Sequence, residues 1–220
     1  MTATNQPRDF WSSLLPEPLP TQDTELLRQI GFIPGLKDLL MVRQVHALEH
    51  ATVWVLSGAS DPSIPDIDFN ANWTDTGNLG GLSTEQGFYL YGQVETSEVR
   101  RAAREALTRM QGGEWNLAVH PRCGTNFSVG MLLTASLAFS IHLLLPRGPI
   151  EQVLGFGFAA STATQLTPEL GRLVQQYITT AVPFNLTIQD VAVIAERNST
   201  GSEPDAWGRP THFIQTAWVD

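Results

Sequence analysis

The sequence is poor in charge, nearly without lysine and nearly without cysteine, and each shortage excludes something. Only 16% of residues are Asp, Glu, Lys or Arg, well under the roughly one quarter of an ordinary soluble domain. So little charge points to contact with a membrane or to burial in a homo-oligomer. Lys37 is the only lysine, and 13 Lys and Arg stand against 22 Asp and Glu for a net charge of −9. No basic stripe can be drawn, so nucleic acid is not an expected partner. Cys123 is the only cysteine, which rules out an intrachain disulfide and fits a reducing compartment. Met1 to Ser13 lacks the basic and then apolar pattern of a secretory signal. There is no Gly-rich phosphate loop and no Gly-x-Ser-x-Gly elbow, so the usual motifs of nucleotide hydrolysis and serine hydrolysis are missing.

What is present reads as an α+β fold. The length of 220 residues suits one substantial core, divided into an extension over 1–33 and a single domain over 34–220. In the extension, Pro16, Pro18 and Pro20 break any helix, and Thr21 to Ile30 forms one short amphipathic helix. Pro34-Gly35 opens a long helix to about Ser57, with Gly58 as its stop. Its apolar residues, from Leu36 to Leu56, go almost all the way round, the mark of a buried helix. Ala59 to Ser83, rich in Asp, Asn, Pro and Gly, reads as a long loop. Gly87 to Val94 alternates as a strand, Thr96 or Ser97 opens a helix to Met110, and Trp115 to Val119 reads as the next strand. That order predicts a β-α-β crossover and hence a small mixed sheet. A helix from Thr167 to about Thr179 and strands at Val191–Ala195 and His212–Ala217 complete it. The last two strands are joined by the turn-rich Asn198–Pro210.

Between these lies an apolar helical hairpin over 127–166. Phe127 to Leu145 carries no formal charge, and after a turn at Pro146-Arg147-Gly148-Pro149 the stretch Gln152–Leu166 is uncharged again. The first arm is long enough to span a bilayer and the second is short for it. The small residues of the second arm suit close packing on the first. Insertion in a membrane, with the remaining domain on the cytoplasmic side, is the favoured expectation. The alternative is a cytoplasmic protein that buries the hairpin in an oligomer, and His142 inside the first arm keeps that alternative open.

The chemistry concentrates in two short segments. His46, Glu49 and His50 stand at i, i+3 and i+4, on one side of the long helix. Two imidazoles and a carboxylate among Val45, Leu48, Val53 and Trp54 are costly to bury unless they are paired or bind a cation. Neutral imidazoles are good zinc ligands and a nearby carboxylate can ligate or act as a base. The bland alternative is a pair of histidines bonded to backbone carbonyls and to Glu49. His120 and Cys123, three apart in a turn, form a second workable ligand pair for zinc. They also allow a thiolate nucleophile with His120 as its base, or merely a small thiol beside a loop histidine. His212 is a further candidate ligand if its strand reaches the same centre.

The spacing His46-Ala-Leu-Glu49-His50 resembles the inverted zinc-protease motif His-x-x-Glu-His. Over these five residues the resemblance implies zinc on His46 and His50 and water activation by Glu49. A broader resemblance rests on His46-Ala-Leu-Glu-His-Ala-Thr52, Gly87-Phe-Tyr-Leu-Tyr-Gly92 and His120-Pro-Arg-Cys-Gly-Thr-Asn126. From about residue 40 onward the chain resembles a cyanobacterial family built on a domain of unknown function and often predicted to be membrane-associated. That resemblance implies a photosynthetic bacterial setting and no particular activity. Two functions therefore stand ahead of a third, a cysteine-dependent enzyme built on Cys123. One is a zinc-dependent hydrolase, such as a membrane-associated peptidase, with Glu49 catalytic and His46, His50, His120 and Cys123 on the metal. The other is a non-catalytic membrane assembly or scaffold protein whose metal site is structural or absent.

Overall fold

The computed structural model describes residues 18–58, 79–144, 148–195 and 210–219. Most of the segment expected as a long loop, 59–78, lies outside them, as do 1–17 and 198–209. The fold is α+β: among the described residues five α-helices accompany one four-stranded sheet. Helix α1 (Gln22–Ile30) precedes α2 (Leu36–Leu56), which Gly35 opens at a φ of 78°. α2 is the axis of the core. Every residue from Ala47 to Trp54 is buried, as expected of a helix that is apolar all round. It packs on α3 (Thr96–Gln111), and Val45, Leu48 and Ala51 share one buried cluster with Val99, Ala103, Ala106 and Met110. α1 is tied to this body by polar bonds. Gln44 Nε2 donates to Asp23 Oδ2 (2.6 Å) and Asn185 Nδ2 to Thr24 Oγ1 (2.9 Å).

The sheet is antiparallel throughout, which corrects the expected mixed sheet and crossover. Its order is β1 (Gly80–Thr84), β2 (Gly87–Tyr91), β4 (Thr211–Trp218), β3 (Leu186–Ala195). The anticipated strand at Trp115–Val119 is a 3₁₀ turn over Trp115–Ala118. The carbonyls a ladder would need there are already taken: His50 Nδ1 meets Ala118 O at 2.6 Å and Trp54 Nε1 donates to Val119 O at 2.9 Å. Side chains of α2 thus capture the backbone that local alternation assigned to the sheet. β1, in turn, falls in the expected loop. Its hairpin with β2 turns through Glu85-Gln86, and Gly87 is forced, since its φ is 140° and a Cβ would strike the backbone of Ile214 and Gln215.

The apolar hairpin is made of α4 (Gly124–Leu144) and α5 (Pro149–Val174), the pair in most extensive contact in the fold. It begins earlier and ends later than the expected 127–166. No new helix starts at Thr167. α5 runs through Pro168, and Thr167 Oγ1 bonds back to Ala163 O (2.7 Å) rather than capping forward. A proline removes one helix hydrogen bond without ending the helix when flanking turns persist. α5 finishes in a π turn over Gln175–Thr179. No residue of α4 is buried, while the buried residues of α5 are Gly155, Ala159, Ala163 and Gly171, a single small-residue face. The large apolar side chains point outward: Phe127 is 71% exposed, Leu144 83% and Phe158 68%. This is the reverse of a soluble bundle, which hides large residues inside.

Candidate metal centre

Two carbonyls orient the two histidines of α2. His46 Nδ1 lies 3.1 Å from Thr179 O and His50 Nδ1 lies 2.6 Å from Ala118 O. A carbonyl only accepts, so each Nδ1 carries the proton and each Nε2 is left with its lone pair. The first carbonyl comes from the π turn after α5 and the second from the 3₁₀ turn. The backbone excursions that defeated the expected strand and helix boundaries are therefore the ones that aim the rings. His46 Nε2 stands 3.3 Å from Cys123 Sγ. One ligand atom each from His46, His50 and Cys123 lies within 4.8 Å of the others, and the two imidazole centroids are 4.4 Å apart. Zinc bonds of about 2.0–2.3 Å in tetrahedral array place ligand atoms ~3.3–3.8 Å apart, so closing the trio on an ion needs a contraction of about 1 Å. The donor set, two neutral imidazoles and a thiol with each ring braced by a carbonyl, fits zinc.

The thiol is prepared for the same role. Burial by itself would push Cys123 up, but the His50 imidazole and the hydroxyl and amide of Thr125 outweigh it and hold the thiol below its ordinary value. The Thr125 amide donates to Sγ at 3.4 Å. Cys123 directly precedes α4, and its loop is pinned by a buried amide network. Gln175, fully buried in the π turn, accepts from the His120 amide (2.8 Å) and donates to Asn126 Oδ1 (2.7 Å). Asn126 Nδ2 then donates to Pro121 O (2.8 Å).

Glu49 directly precedes His50 and lies one turn after His46, but it stands outside the trio. It is 8% exposed, and its carboxylate accepts a short hydrogen bond from Ser83 Oγ of β1. Burial pushes its carboxyl above the ordinary value, against the opposing hydrogen bond from Ser83. A carboxylate so raised is a better proton acceptor near neutral pH than a solvated one. Gly81 of β1 lies directly over it. A Cβ there would stand 2.7 Å from Glu49 Cγ and closer still to the carboxylate.

The expected fourth ligand, His120, is brought near but not into the trio. Its ring is 5.6 Å from that of His50 and 5.1 Å from that of Trp54, and its Nδ1 accepts from the Arg122 amide at 3.3 Å. Burial above all, with the nearby Arg122 charge adding to it, lowers its pKa to about 3. It is a neutral imidazole carrying its proton on Nε2. His212 is elsewhere, bonded through Nε2 to Thr96 Oγ1 (3.2 Å) at the start of α3. His142 bonds Gln152 Oε1 (2.8 Å) across the hairpin. Ser83, Gly81, Gln175 and Thr179 were invisible as site residues. Only the Thr84-Glu85-Gln86-Gly87 turn hinted that a strand precedes β2, and no local signal marked Gln175.

A cavity of about 450 Å³ opens onto His46, Glu49, His50, Cys123 and His120, with β1 along its side. Comparison with known proteins gives this arrangement a family. Residues 41–191, which carry most of α2, the trio and the hairpin, match the domain of unknown function DUF6391. The chain belongs to that family. It is also 44% identical over 212 residues, 96% of each chain, to an uncharacterised protein of the cyanobacterium Picosynechococcus sp. strain PCC 7002. No solved structure matches.

Proposed function

We propose that this DUF6391 protein is a zinc-dependent hydrolase working at a membrane surface. The observation that carries the reading is the common orientation of His46 and His50. Both protonated Nδ1 atoms are spent on carbonyls, His46 Nε2 faces Cys123 Sγ, a ligand atom of His50 lies within 4.8 Å of both, and a desolvated Glu49 lines the same cavity. A purely structural site has no need of a raised carboxylate or of an open cavity. Zinc would supply a Lewis acid for the substrate oxygen and make a water acidic enough to attack at neutral pH. Glu49 would serve as the base that takes a proton from the attacking water and returns it to the leaving group. Ser83 holds the carboxylate in place, and neutral His120 offers its Nε2–H to developing negative charge.

The membrane part rests on the hairpin. α4 is, by length and composition, the one helix among the described residues able to cross a bilayer, and the outward large apolar residues of α4 and α5 suit lipid. The sheet and α2 would then lie on the cytoplasmic side, where a lone ligand thiol stays reduced.

The test is metal analysis and hydrolysis in detergent on protein purified without chelator. Wild type and Glu49→Gln should each carry one equivalent of zinc, and His50→Ala none. Hydrolysis of fluorescent casein should occur with the wild type alone. Protein without stoichiometric metal, or full activity in Glu49→Gln, would sink the reading. Zinc whose removal unfolds a catalytically inert protein would favour the structural-site alternative.

A further inference from the structure

β1 ends the sheet, hydrogen-bonded to β2 alone among the described strands. Which way its backbone points follows from one bond. The Thr216 amide donates to Gln86 O at 3.0 Å, so residues 86, 88 and 90 direct their polar groups to β4, and 87, 89 and 91 direct theirs to β1. Their partners Thr84, Leu82 and Gly80 are thereby satisfied. Gly81 and Ser83 are left with N–H and C=O facing outward, off the sheet. These are also the residues that meet Glu49, Ser83 through its hydroxyl and Gly81 through the absence of a side chain. Gly81 is exposed, and both line the cavity.

A row of outward donors and acceptors with a repeat of about 6.8 Å is matched by another extended chain and by little else. The row runs alongside the carboxylate and the trio rather than at a remote edge. Covering Gly81 with a side chain would close the approach to Glu49, and glycine keeps it open. We propose that the substrate is a polypeptide in extended conformation, added as a fifth strand on the outer edge of β1, its backbone paired with Gly81 and Ser83. Its scissile peptide lies between Glu49 and the His46–His50–Cys123 trio. This deepens the hydrolase reading and rests on it. In the step, the water oxygen bonds to the carbonyl carbon and the C–N bond breaks. One water proton travels through Glu49 to the leaving nitrogen, giving a carboxylic acid and an amine with no change in oxidation state.

The experiment uses the full chain in detergent micelles, zinc-loaded, with Glu49→Gln to hold substrate uncleaved. Saturating casein peptides should slow hydrogen exchange of the Gly81 and Ser83 amides by about tenfold or more and leave Leu82 and Thr84, already bonded to β2, unchanged. With the wild type, a cleavable peptide N-methylated at one amide at a time should lose about tenfold or more in cleavage rate at every second position and little between. Cleavage of casein with neither protection nor alternation would overturn the strand site while leaving the hydrolase. Zinc-dependent cleavage of p-nitrophenyl butyrate with no binding of peptide would overturn the polypeptide substrate and again leave the hydrolase. Protection without any zinc-dependent hydrolysis would overturn the substrate claim together with the reading beneath it.

Discussion

Replacing Gly81 by alanine should reverse its effect on stability depending on what stands at position 49. In the native protein the added Cβ would be 2.7 Å from Glu49 Cγ and nearer to the carboxylate. Glu49 cannot yield cheaply, since it is buried within α2 and bonded to Ser83. Overpacking of this kind costs about 1–3 kcal/mol, and if the carboxylate swings away the lost bond to a charged group costs a similar ~1.5–3 kcal/mol. With Glu49→Ala the obstruction is gone. Gly81 lies in a strand without positive φ, so alanine there should be neutral or stabilising by about 0.4–1 kcal/mol through the unfolded chain. The coupling between the two substitutions is therefore ~1.5–4 kcal/mol. Thermal melting of the four proteins of the cycle in one detergent reads it, at about 2–4 °C per kcal/mol for a chain of this size. A coupling inside about 0.5 kcal/mol would show that β1 does not rest on Glu49, and the candidate site would lose one wall.

Three further outcomes follow from the same geometry. His46→Ala, His50→Ala and Cys123→Ala should each abolish zinc binding, whereas His120→Ala, outside the trio, should keep one equivalent and lose about 10–100-fold in activity; metal analysis beside a kinetic assay separates the two. Because the folded Glu49 binds its proton more tightly than the ordinary value of 4.5, the native state holds more protons than the unfolded one above that value. Glu49 therefore subtracts stability as pH rises through the window up to its raised folded value. In chelator-stripped protein, Glu49→Gln should gain more in melting temperature over wild type at about pH 7 than at about pH 4, and an equal difference at both would refute the shift. In the hairpin, Ala159→Leu should force α4 and α5 apart, costing about 1–3 kcal/mol, while Phe158→Leu on the outer face should be nearly silent; membrane-reconstituted protein, followed by helix content on heating, would show the contrast.

The helical parts were readable from residue pattern because their cause is local. The all-round apolar run from Leu40 to Trp54 made α2 a buried helix before any partner was known, and spacing alone put His46, Glu49 and His50 on one side of it. The uncharged stretches likewise announced α4 and α5. Alternation also marked β2, β3 and β4, but not how the sheet is put together, since alternation over Trp115–Val119 does not reveal that His50 and Trp54 will claim the carbonyls of Ala118 and Val119. Thr167-Pro168-Glu169 looked like a helix start because capping rules see three residues, not the packing that carries α5 through them.

The composition of the site was thus written in the sequence: two imidazoles and a carboxylate on a mostly apolar helix, and a single thiol. Its assembly was decided in three dimensions. Cys123 meets His46 across 77 positions of chain, and Ser83 meets Glu49 across 34. Thr179 fixes the proton of His46 from the far end of the hairpin. No local propensity encodes contacts of that range. They exist because α2 is buried on every side, so that each polar group on it must find a partner among whichever segments the fold lays against it.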